Sequence, residues 1–173
     1  MHMRQIMALC LVLMLVSIAP ARAEDARVAF VHDPASGRMT VTVDGKEAFV
    51  YRHGDDVDLP HYCPLNGPSG RNMLLDQTFP YKDHPHHRSF WFADKVSFEG
   101  GEPVTLYNAI YSGAGGGDNP PAPWTPPYRD RIRHVAFTGE RVSGDTGTVT
   151  ATLVWLTDYD KPLLDEHRIL RVR

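Results

Sequence analysis

Met39-Thr40-Val41-Thr42-Val43-Asp44-Gly45-Lys46, running on to Arg52, is the stretch that decides the fold of this chain. Met39, Val41 and Val43 alternate with threonines, the period of two that a pleated, half-buried strand imposes. Asp44-Gly45 supplies the two central residues of a tight hairpin turn, where positive φ favours this pair. Lys46 to Arg52 then returns as the partner strand. Alternation, turn and return together make a specific signal for an antiparallel hairpin.

The same grammar recurs on both sides. Val28 to His32 is a short apolar strand followed by the turn cluster Asp33-Pro34-Ala35-Ser36-Gly37. Leu59 to Leu65 is expected as an edge strand, because Pro60 and Pro64 have no amide to give a ladder. Ser89 to Val96 sets Phe90 and Phe92 on one face and Trp91 on the other, the pattern of a strand covered twice. Gly113 to Tyr128 holds four glycines and five prolines and reads as a linker, or as a lid carrying Trp124. Ile132 to Glu140 and Thr148 to Thr157 are strands joined through Gly144-Asp145-Thr146-Gly147. In the second, Val149, Ala151, Leu153 and Trp155 share a face. Leu163 to Arg173 opens one more strand with no turn to close it, the mark of a chain that stops inside an element. Beyond residue 23 no segment carries a 3.6-residue period, so the class is all-β.

Residues 1–23 read as a secretory signal: Arg4 is the positive start, Ile6 to Ile18 the apolar run, and Ala21-Arg22-Ala23 the cleavage site. The run is short for a membrane span, so the expectation is an exported protein, periplasmic or extracellular, with one domain over 24–173. Its removal takes Arg4 and Arg22 from 18 basic residues, leaving 16 against 21 acidic ones. Such a chain has no electrostatic reason to hold nucleic acid, and no span remains after the signal. Cys63 is the one cysteine of the mature part, which rules out an internal disulfide. It reads as a half-buried strand cysteine; a nucleophile facing the same way as His61 is the alternative.

The chemistry concentrates in Asp83-His84-Pro85-His86-His87-Arg88, followed by Ser89-Phe90-Trp91-Phe92. No core needs three imidazoles, a carboxylate and a guanidinium in six positions. His84 and His86, two apart in extended chain, point the same way and stand about 7 Å apart at Cα. They are the candidate acid–base pair, with Asp83 fixing a tautomer as a carboxylate partner does. Arg88, His87 and Trp91 are candidate ligand contacts, joined by Asn66 and Arg71 from the turn that follows Leu65. Two competing accounts stand beside this one. Asp83 and Arg88 can pair and merely hold the turn shut. His84 and His86 can instead ligate a divalent metal, although the HExxH spacing of helical zinc sites is absent. No cofactor is otherwise called for.

The strings Tyr62-Cys63-Pro64-Leu65-Asn66-Gly67-Pro68-Ser69-Gly70-Arg71 and Asp83-His84-Pro85-His86-His87-Arg88-Ser89-Phe90-Trp91-Phe92-Ala93, with Glu166 and Arg168 further on, resemble the DUF6807 family, often labelled "methane oxygenase PmoA-like". The resemblance implies an exported antiparallel β-sandwich from bacteria that degrade polysaccharides, akin to the galactose-mutarotase-like supersandwich of aldose epimerases. It also implies a domain about twice this length, so that this chain is an N-terminal part, incomplete at its C-terminus. The partner implied is a carbohydrate or another small polar ligand. Three activities follow as expectations: a sugar-active enzyme using His84 or His86, a non-catalytic carbohydrate-binding module, or a His-ligated metalloprotein. The paired carboxylates of ordinary glycosidases have no candidate here. Methane oxidation is rejected, because the membrane subunit that bears the name spans the bilayer several times and this chain does not.

Overall fold

A computed structural model describes residues 27–74, 86–87, 90–97, 100–114 and 125–173. The expected signal, residues 1–23, lies outside them, as do His84, Asp83, Arg88 and Trp124.

The described chain is an all-β sandwich of antiparallel sheets. Strands β1 (Val28–Asp33), β2 (Arg38–Val43), β3 (Lys46–Arg52), β4 (His61–Leu65) and β5 (Phe90–Trp91) form one sheet in chain order. A two-stranded ribbon joins β6 (Lys95–Val96) to β7 (Val104–Thr105). Three long strands, β8 (Arg131–Ser143), β9 (Thr146–Thr157) and β10 (Lys161–Val172), make the second large sheet with β9 central. The β2–β3 hairpin forms as read: Val43 pairs with Lys46, and Asp44 and Gly45 take φ of 51° and 71°. Both are left-handed values that a tight hairpin requires and that Asp and Gly tolerate.

Two apolar groups fill the space between the sheets. Val28, Met39, Val41, Phe49, Tyr51, Tyr62 and Val149 form one; Leu59, Leu106, Ala109, Ile132, Leu153, Trp155 and Leu163 belong to the other. The alternating face of β9 is thus the floor of both, as its sequence pattern demands.

Three expectations change. Leu59 to Leu65 is not an edge: β4 lies between β3 and β5. The prolines are tolerated because Pro60 precedes the strand, while β5 pairs only with His61 and Tyr62, leaving Pro64 beyond that ladder. Ser89 to Val96 is not one covered strand. Phe90–Trp91 and Lys95–Val96 belong to different sheets, and Phe90 and Phe92 are each 59% exposed. The Gly144–Gly147 loop shrinks to Gly144-Asp145, since Ser143 already pairs with Thr146.

One element has no counterpart in the sequence reading, a 3₁₀ segment over Leu106–Ser112. Its i, i+3 spacing buries Leu106, Ala109 and Ile110 while leaving Tyr107 and Tyr111 at the surface side. The Ser112 hydroxyl, which accepts from the Asp130 amide at 2.9 Å, ties its end to β8. Asp130 is buried and held in turn by Thr157 Oγ1 at 2.6 Å and Arg129 Nη2 at 2.6 Å. A buried carboxylate needs such partners, and they fix the segment against β8 and β9.

Candidate functional site

His86 and His87 stand where the 3₁₀ segment meets β5. His86 Nδ1 lies 2.9 Å from the Tyr111 hydroxyl, and His87 Nε2 lies 2.8 Å from the Tyr107 hydroxyl. In each pair the phenol donates to an unprotonated ring nitrogen, or the ring N–H donates to the phenol, according to tautomer. Tyr107 is the hub: its ring is 4.9 Å from His86 and 5.0 Å from Trp91. The two imidazoles touch each other edge to face at 4.3 Å. Two imidazoles, two phenols and an indole therefore meet in one small, half-open cluster. Its supports are the Asp130–Ser112 anchor under the tyrosines and the pairing of Trp91 with His61 under the indole.

Of the residues singled out from sequence, His86, His87 and Trp91 come together. His84, Asp83 and Arg88 lie outside the described residues. Asn66 follows the far end of β4 from His61, five residues or about 16 Å along the strand. Its amide donates to the Glu47 backbone oxygen at 3.1 Å and to Glu47 Oε1 at 3.2 Å, which locks the turn. Arg71 is exposed in that same turn. Among the described residues, no group of three His, Cys, Asp or Glu side chains is placed to hold a metal ion.

Cys63 is half-buried in β4. His61, two residues before it, is buried, with Nδ1–H donating to the Leu59 carbonyl at 3.1 Å. Burial lowers its pKa to about 4, so it stays neutral at ordinary pH.

Tyr107 and Tyr111 are not among the residues that the sequence singles out. The 3₁₀ turn rather than a pleat brings them to the histidines. Glu166 and Arg168, two apart on the inner face of β10, bond through Arg168 Nε to Oε1 at 2.6 Å and Nη2 to Oε2 at 3.0 Å. Trp155 Nε1 donates to Glu166 Oε2 at 2.7 Å. The side chains of Arg168 and Glu166 are 11% and 15% exposed, so each charge needs the other. Arg168 lines a recess of about 10 Å³ with Tyr51, Tyr62, Met39, Phe137 and Val149, the room of one water at most. Burial raises the pKa of both phenols, against the pull of the guanidinium. This recess sits between the sheets, and His86 and His87 do not line it.

Comparison with known proteins gives one match. The model of a family of unknown function, DUF6807, covers residues 38–173. No curated protein and no solved structure matches. The chain belongs to the DUF6807 family.

Proposed function

We propose that this DUF6807 protein is exported and acts on carbohydrate through the His86 cluster. The observation that carries the reading is the meeting of His86, His87, Tyr107, Tyr111 and Trp91. Imidazoles bonded to phenols present donors and acceptors to sugar hydroxyls, while an indole offers a face for the apolar side of a pyranose ring. The Tyr111 hydroxyl at Nδ1 fixes the ring orientation of His86, and an imidazole held in one orientation suits an acid–base role. His84 and Asp83 complete the acid–base group in this proposal, and Arg88 supplies a further ligand contact. Methane oxidation plays no part in it; no helix among the described residues is long and apolar enough to cross a membrane.

The test is incubation with a panel of mono- and disaccharides followed by product analysis, for the wild type and for His86→Ala. Conversion of one sugar that disappears in the variant is the expected result. Saturable binding without any product reduces the protein to a binding module. Neither binding nor product overturns the proposal.

A further inference from the structure

A second histidine group lies away from that cluster, between the two large sheets. His53, the residue after β3, and His134 of β8 bring their rings to 4.3 Å at an interplanar angle of 46°. Tyr51 stacks on His53 at 5.2 Å, and its hydroxyl stands 3.5 Å from His134 Nδ1. Phe137 closes the group, 5.3 Å from His53 and 4.4 Å from His134.

We propose that the His53–His134 pair is an acid-opened catch between the sheets, closed while both imidazoles are neutral and released when they take up protons. Protonating both sets two like charges side by side in a half-buried contact, where water screens them incompletely. The charges that act on the two rings do not relieve this. Arg168 of β10 and His32 of β1 oppose a proton on His134, and His32 opposes one on His53. Tyr51 is a buried phenol that stays neutral. The carboxylates of the facing strands are engaged elsewhere: Glu140 with His32 Nε2 at 2.7 Å, and Glu166 with Arg168. Burial, then His53, then Arg168 hold the His134 pKa down to about 4, and burial lowers that of His53. A folded pKa below the unfolded value means the contribution is complete above about pH 6.5 and is lost as pH falls toward 4. The His32–Glu140 pair joins β1 to β8, whereas the catch joins the end of β3 to β8.

The experiment is backbone hydrogen exchange of the β8 amides flanking His134 between pH 7 and 4.5, corrected for intrinsic exchange, in wild type, His53→Gln and His134→Gln. Wild-type opening should increase by about threefold to tenfold per pH unit, tenfold being the limit for one proton. His53→Gln and His134→Gln should flatten that slope at β8. Any global slope from His61 persists in both variants. A wild-type slope retained in His134→Gln overturns the proposal. Should the variants fail to fold, the titration of the His134 ring protons in the wild type decides: a midpoint near 4 supports the catch, and one near 6.5 overturns it.

Discussion

His86 and His87 stand against tyrosine hydroxyls at an open cluster, whereas His53 and His134 are wedged ring to ring between two sheets. The residue type is the same and the consequences differ. The first pair hangs on a 3₁₀ segment whose own anchors lie elsewhere, at Asp130 and Ser112. Changing it should alter recognition and leave the fold. The second pair is part of the contact between sheets, and its protonation is coupled to folding. An imidazole's role is thus set by what it packs against.

The largest expected effects sit under the wedged pair. Leu153 is opposite His134 on one side and Glu166 on the other, fully inside. Leu153→Ala should cost about 3 kcal/mol in denaturant unfolding, through lost burial and the cavity left behind. Arg168→Met should cost about 2–3 kcal/mol, because Glu166 would keep its charge with only the Trp155 N–H for company. Replacing both Glu166 and Arg168 with apolar residues should recover most of that loss. Equal losses in the single and double variants would show that packing, not charge, sets the cost.

Acid should act next. His61 is more than nine-tenths buried, and its pKa of about 4 lies below the unfolded 6.5. Its contribution is therefore full above pH 6.5 and vanishes as pH falls through 4, up to about 3 kcal/mol. Denaturation midpoints measured from pH 7 to pH 4 should fall in the wild type and fall less in His61→Gln.

At the open cluster the stability effects shrink. Tyr111→Phe removes the hydrogen bond to His86 and should cost about 0.5–1 kcal/mol, seen as a small shift in thermal midpoint. A loss as large as that of Leu153→Ala would erase the distinction between the two histidine pairs.

How much of this could be read from the chain depends on range. The β2–β3 hairpin was legible because Asp44-Gly45 and its flanking alternation are local. The buried face of β9 was legible for the same reason, since Val149, Ala151, Leu153 and Trp155 repeat at two. What failed is what depends on partners far away. Pro64 marked an edge only until the length of β5 was known. Tyr107 and Tyr111 reach the histidines because Leu106–Ser112 turns as a 3₁₀ segment, and no local pattern announces that turn. Nothing near His53 or His134 announces that they meet, as that follows from how the sheets stack. His86, His87 and Trp91 were singled out from one local motif, and the tyrosines they meet were not.

The most direct measurement is a titration of mono- and disaccharides into wild type and His86→Gln at neutral pH, with thermal midpoints recorded for both. Saturable binding of at least one saccharide by the wild type, abolished in a variant of unchanged midpoint, is the predicted result. Binding that survives in His86→Gln, or no binding to any saccharide, would contradict it.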